Sequence, residues 1–271
     1  MKEQIKQLIA ETLDKLQARN LVREYCQAKL LQFLQEKGIF QSWVFHGGTA
    51  LRFLYKLPRY SEDLDFALES PKVKVDFSSV IADVCRAFES EAYIVKAKVN
   101  ESKPVKSASI RFIGLLHELR LSPRPSEVLS IKIELDSHPP SGGTTETSIF
   151  RRYVMLNVLH YDKASLLSGK LHAILARPYV KGRDLYDLFW YLSDRTWPEP
   201  NIKFLATALR QTNWKGPEIS KSNWCHLVAK QLENLDWKKA IEDVRPFIER
   251  SSDLNFLTRE NLLKLLKTRQ L

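Results

Sequence analysis

The chain has 271 residues, 44% of them hydrophobic, and carries 42 Lys plus Arg against 32 Asp plus Glu, for a formal net charge of +10. No run approaches about 18 apolar residues, which excludes a membrane-spanning helix, and the start Met1-Lys2-Glu3-Gln4-Ile5-Lys6 is no secretory signal, so a cytoplasmic protein with no membrane contact is expected. Cys26, Cys85 and Cys225 are odd in number and far apart, and the six histidines lack ligand spacing, so neither a disulfide framework nor a zinc cluster is indicated.

Apolar periodicity predicts helices over residues 5–16 and 22–37, the second ending at Gly38 as a C-cap. Trp43-Val44-Phe45 is short enough for a buried strand, and Gly47-Gly48 behind it permits positive φ and close backbone approach to a ligand. A helix is expected from about Thr49. Its free N–H groups and positive dipole end suit an anion such as a triphosphate, with Thr49 capping that end or bonding a phosphate oxygen and Arg52 adding charge one turn on.

Ser61-Glu62-Asp63-Leu64-Asp65-Phe66 reads as the next strand. Alternation places Ser61, Asp63 and Asp65 on one face and Glu62, Leu64 and Phe66 on the other. Two converging carboxylates repel each other unless a cation sits between them, and hard oxygen donors suit magnesium or manganese, with substrate phosphates completing the coordination. Strand, glycine turn, helix and dicarboxylate strand in this order point to nucleotidyl transfer, the chemistry in which bound ions clamp the attacking and leaving oxygens.

Further along, residues 80–89 read as a helix, residues 92–99 and 107–113 as strands, and residues 127–136 as a strand with one buried side. There Ile131, Ile133 and Leu135 share one face, and Lys132, Glu134 and Asp136 the other. The Pro- and Gly-rich residues 137–145 are expected to form a flexible excursion. After Tyr161 the pattern is helical to the end, broken at Pro198-Glu199-Pro200 and Gly216-Pro217. This part is rich in Lys and Arg, Lys203, Lys230 and Lys239 among them, which suits a polyanionic partner; Trp197, Trp214, Trp224 and Trp237 are interleaved, either as base-stacking platforms or as core.

Gly47-Gly48-Thr49-Ala50-Leu51-Arg52 together with Arg59-Tyr60-Ser61-Glu62-Asp63-Leu64-Asp65-Phe66 resembles the abortive-infection nucleotidyltransferase toxins of the AbiEii/AbiGii type, which include the MenT toxins and belong to the DNA polymerase beta-like superfamily. The resemblance continues through Ser130 to Asp136, where the superfamily carries a third carboxylate, Glu134 here with Asp136 as the alternative. It extends to Ser168-Gly169-Lys170-Leu171-His172, where Lys170 matches a lysine that contacts nucleotide phosphates and Lys163, seven residues earlier, lies on the same face. It ends in Arg183-Asp184-Leu185-Tyr186-Asp187, where it gives Asp184 a place in the active site and leaves Asp187 open; Asp184 is also a candidate for a helix cap or a partner of Arg183, Lys181 or Lys170. The departure is Ser168-Gly169, since a glycine inside a helix costs about 1 kcal/mol.

The resemblance implies an α/β (α+β) nucleotidyltransferase fold, a mixed central sheet with flanking helices over residues 1–155 and a helical domain over residues 156–271 contributing Lys170 and Asp184. The expected catalytic residues are Ser61, Asp63, Asp65, Lys170 and Asp184; Gly47, Gly48, Thr49, Arg52, Ser61 and Lys170 would bind the nucleoside triphosphate, and Asp63, Asp65 and Glu134 the Mg2+ or Mn2+. The implied acceptor is RNA, above all the 3′ end of tRNA, and the implied outcome is blocked translation in a toxin-antitoxin or phage-defence system. A cognate antitoxin, which in some relatives modifies a hydroxyl at the position of Ser61, is implied as partner. The alternatives are a nucleotidyltransferase or kinase-like enzyme acting on a protein or on itself, and a non-enzymatic nucleotide- or RNA-binding module.

Overall fold

The computed structural model describes residues 2–233 and 235–269. They form two compact units. The first takes in residues up to 56 together with 60–139 and 147–160, and the second residues 57–59, 140–146 and those from 161 onward.

The first unit opens with α1 (Lys2–Ile9) and α2 (Lys15–Glu36). The break between them falls before residue 15, earlier than expected, because the Asp14 carboxylate accepts the Leu16 and Gln17 N–H groups and caps a helix that then absorbs residues 17–21. Past its end Gly38 adopts φ 69°, a left-handed turn that glycine enters without Cβ strain.

Strands β1 (Trp43–His46), β2 (Asp63–Leu68), β3 (Val95–Asn100), β4 (Val105–Phe112), β5 (Leu129–Asp136), β6 (Thr145–Arg152) and β7 (Val154–Tyr161) form one sheet in the order β3-β4-β5-β2-β1-β7-β6. The sheet is mixed: β2 runs antiparallel to β1 and parallel to β5, while β4 runs antiparallel to both β3 and β5. On β5 the alternating Leu129, Ile131, Ile133 and Leu135 are each at most 2% exposed, and burial of such a side chain contributes about 1.5–3 kcal/mol. Phe66 joins Trp43 and Phe45 in an aromatic cluster, with ring centroids 5.4 Å from each. Helix α2 packs on β5 and on α4 (Phe77–Ser90), and α4 packs on β3 and β4. Between β1 and β2 lies α3 (Gly47–Tyr55), which starts at the first glycine of the pair rather than at Thr49. The hairpin of β6 and β7 carries no turn glycine: Tyr153 makes the corner at φ 61°, and its hydroxyl donates to Glu24 Oε1 at 2.8 Å. A single-turn helix, α5 (Leu115–Glu118), precedes β5.

The second unit is built from α6 (Lys163–Ala176), α7 (Gly182–Ser193), α8 (Ile202–Gln211), α9 (Trp224–Glu233), α10 (Trp237–Val244) and α11 (Arg259–Thr268). Helix α6 passes through Gly169 unbroken and packs on α7, α8 and α9. At Gly182 a Cβ would meet the backbone carbonyl of Ala240, its carbon 2.8 Å away, so glycine is what lets α7 begin against α10. Two of the interleaved tryptophans are core: Trp197 and Trp224 are 8% and 1% exposed, and Trp197 packs edge-on against Trp190 and Tyr191. Trp214 turns its Nε1–H onto the Pro217 carbonyl at 3.2 Å. No helix among the described residues is long and apolar enough to cross a membrane.

Candidate active site

The antiparallel register of β1 and β2 sets His46 opposite Asp65, and the parallel register of β2 and β5 sets Asp65 beside Glu134 and Asp63 beside Lys132. Registered neighbours point to the same side, so His46, Asp65 and Glu134 form one row across the sheet and Asp63 and Lys132 the next. The first row ends at the start of α3. Gly47 has φ 78°, and a Cβ there would lie 2.9 Å from the Asp65 carboxyl carbon, so the Asp65 carboxylate rests directly on the glycine that begins the helix. A negative group at this end is favoured by the helix dipole and the free N–H groups.

Thr49 is fully buried. Its hydroxyl donates to the Asp63 carbonyl at 2.5 Å, so it fastens β2 to the first turn of α3 instead of facing a phosphate. Arg52 also departs from expectation: it is 2% exposed, ion-paired with Glu24 of α2, and stacked over the Tyr60 ring at 4.1 Å. Glu24 receives Arg152 as well, whose Nε donates to Oε1 at 3.0 Å. Two guanidiniums pair with one buried carboxylate that also accepts a tyrosine hydroxyl, and Arg52 is consumed in holding α3 to α2. Ser61 lies just before β2, its carbonyl and that of Glu62 both accepting the Gln27 side-chain amide, at 3.1 and 3.0 Å. This fixes the backbone that leads into the carboxylate strand.

Glu134 is engaged by Lys132, whose ammonium is held charged by Glu134 first and by Asp63 and Asp65 in addition, against the opposing effect of burial. Among the described residues no group of three or more His, Cys, Asp or Glu is arranged to hold a metal ion, so the expected set of three carboxylates is not assembled here. Asp63 and Asp65 remain as a pair of hard oxygen donors next to an anion-favouring helix start, which fits a magnesium-type ion whose other ligands come from phosphates.

In the second unit Lys170 Nζ lies 2.6 Å from Asp187 and 3.2 Å from Asp184. Asp184 in turn takes Arg177 at 2.5 Å, and Asp187 takes Arg59 through two bonds of 2.6 Å. Burial works against charge on Lys170, yet Asp187 and then Asp184 raise its pKa; burial likewise opposes charge on Asp187, yet Arg59 and then Lys170 lower it. The Lys163 ammonium sits over the Trp197 ring at 4.5 Å. Arg59 is the residue that motif reading overlooked. The signal was present in the Arg59-Tyr60-Ser61 block, but its partner lies 128 positions away.

A family model described as nucleotidyl transferase AbiEii toxin, type IV toxin-antitoxin system, matches residues 29–258. The chain belongs to the AbiEii nucleotidyltransferase toxin family. This AbiEii protein is a nucleotidyltransferase with the fold that goes with that activity. It is similar in structure to MenT4, a nucleotidyltransferase toxin from Mycobacterium tuberculosis H37Rv, at 16% identity, TM-score 0.56 and coverage of 98% of this chain and 89% of that one. It is also similar to JHP933 from Helicobacter pylori, at 16% identity, TM-score 0.52 and coverage of 93% and 91%. None of the curated proteins matches the chain.

Proposed function

We propose that this AbiEii-family enzyme transfers a nucleoside monophosphate from a nucleoside triphosphate to a hydroxyl of RNA, the 3′ end of tRNA, and thereby blocks translation unless a cognate antitoxin intervenes. The observation that carries the reading is the Asp65 carboxylate seated on Gly47 at the start of α3, with Asp63 on the same face of β2. The tRNA acceptor and the antitoxin come from the family resemblance.

Asp63 and Asp65 would hold Mg2+ or Mn2+, which when bound supplies charge neutralisation to the triphosphate. The N-terminal N–H groups of α3 bind phosphate oxygens, and the paired glycines let the backbone come close enough to do so. The resemblance implies that the Ser61 hydroxyl adds a donor to the phosphates. Thr49 positions Asp63 by gripping its carbonyl, and Arg52 acts at a distance, through the anchoring of α3. Lys132 holds Glu134 and tempers the repulsion between carboxylates. In the transfer, the acceptor hydroxyl oxygen bonds to the α-phosphorus as the bond to the β-phosphate oxygen breaks and pyrophosphate leaves. Positioning and charge stabilisation account for most of the acceleration in such chemistry. The resemblance implies reaction roles for Lys170, toward phosphates, and for Asp184.

The test is incubation with total tRNA and each of the four labelled triphosphates, followed by sequencing of the RNA ends. Label on tRNA 3′ ends is the expected result. Label on the protein without RNA would replace the acceptor with protein, and no label on either would overturn the proposed transfer to RNA.

A further inference from the structure

The second unit contains a groove of about 630 Å³ whose walls carry Lys181, Arg183, Lys230 and Lys239. Three helices supply them: Lys181 and Arg183 bracket the first residue of α7, Lys230 is in the last turn of α9, and Lys239 is in the first turn of α10. The groove also contains two acids, and each is committed to a helix start. Asp236 caps α10 by accepting the Lys239 N–H at 3.0 Å, and Asp243 accepts the Gly182 N–H at 2.9 Å. Among the described residues the ammonium groups of Lys181, Lys230 and Lys239 make no ion pair. Arg183 lies over the Phe247 ring at 4.5 Å. Four cations drawn together from three helices outnumber the two carboxylates, so the groove keeps an excess of positive charge that an anionic occupant offsets.

The volume and the rim narrow the occupant. A single phosphate is far smaller than 630 Å³ of space, whereas a strand brings several successive phosphates to it. Tyr179, 68% exposed, stands at the same site, and an exposed aromatic ring is a surface on which a base can stack. A basic groove with an aromatic platform is how proteins track single strands without reading their sequence. The tryptophans do not serve this purpose, since Trp197 and Trp224 are committed to the core.

We propose that the groove of Lys181, Arg183, Lys230 and Lys239 binds the sugar-phosphate backbone of the acceptor RNA, with an unpaired base stacked on Tyr179. This rests on the reading that the acceptor is RNA. It adds where the strand is gripped and makes that grip electrostatic, separate from the nucleotide chemistry of Asp63 and Asp65.

The experiment measures binding of labelled tRNA, and of labelled polyglutamate beside it, by fluorescence anisotropy over a salt series, with no triphosphate present, for the wild type, the triple variant Lys181→Glu/Lys230→Glu/Lys239→Glu, and Tyr179→Ala. The triple variant is expected to bind at least about tenfold more weakly, with the slope of log affinity against log salt reduced by about 2, since each phosphate contact on a single strand contributes about 0.7. Tyr179→Ala is expected to weaken binding with the slope unchanged. If the charge reversals prevent folding, the Lys→Gln triple variant gives the same comparison. A wild type that binds tRNA alongside a triple variant with unaltered affinity and slope would overturn the groove and leave the proposed function standing. A wild type that binds no RNA would overturn the RNA reading itself. Equal losses toward polyglutamate and tRNA would make the surface a general polyanion site and overturn the assignment to RNA.

Discussion

Arg59 grips Asp187 with both arms of its guanidinium, Nε to Oδ1 and Nη2 to Oδ2, at 2.6 Å each, in a place where the two side chains are 2% and 0% exposed. The same Asp187 holds Lys170, so the arginine sets the carboxylate on which the lysine rests. Removing one partner of a buried pair leaves the other charge stranded, which typically costs about 3–5 kcal/mol. Arg59→Ala is therefore expected to lose about 3 kcal/mol in urea unfolding, the low end because Lys170 still compensates Asp187. Combining it with Asp187→Leu should recover part of that loss, as a double-mutant cycle would show.

The same cluster fixes a pH dependence. Asp187 has a pKa below its unfolded value, so its contribution is present above the unfolded pKa of about 4 and is lost as pH falls through the lower folded value. Lys170 is raised, so its contribution is complete below the unfolded pKa of about 10.4 and is lost as pH rises through the folded one. Thermal unfolding should show a stability plateau bounded by these two values. In Asp187→Asn the acid limb should flatten, and an unchanged limb would remove this cluster as its source.

Gly47 is required twice, by its φ of 78° and by the Asp65 carboxylate packed where a Cβ would go. Gly47→Ala is expected to cost about 1–2 kcal/mol from the left-handed backbone. It should also displace Asp65, so nucleotide turnover should fall by more than thermal denaturation accounts for, measured well below the melting temperature.

Gly169 presents the opposite case. It lies inside α6, exposed, with nothing within 4 Å of an added Cβ. Gly169→Ala should stabilise the protein by about 1 kcal/mol, read from the urea midpoint, because alanine forfeits less backbone entropy in a helix.

The chemistry-bearing core of the first unit is legible because its signals are local. A strand of three apolar residues, a glycine with positive φ and an alternation of carboxylates each announce themselves within a few positions, and β1, α3 and β2 follow in that order. What cannot be read is where charges go once the chain closes. Arg52 looks like a phosphate ligand until Glu24, on α2 and outside every motif, captures it. Glu134, expected at the metal, pairs with Lys132, a partner that alternation alone puts on its face without pairing the two. The hairpin of β6 and β7 escapes notice because its corner is Tyr153 at positive φ, where no glycine or asparagine announces a turn. The early start of α2 at Asp14 shows the reverse, a local cap overriding an apolar period that ran across it.

The central claim is that Asp63 and Asp65 act together beside Gly47 on the triphosphate. The most direct measurement is transfer of labelled nucleotide to tRNA by the wild type and by Asp63→Asn, with melting curves to show that both are folded. The account predicts unchanged melting and a loss of transfer of at least about 100-fold, the scale on which removal of one electrostatic contact slows a stabilised transition state. Transfer by Asp63→Asn at the wild-type rate would contradict it.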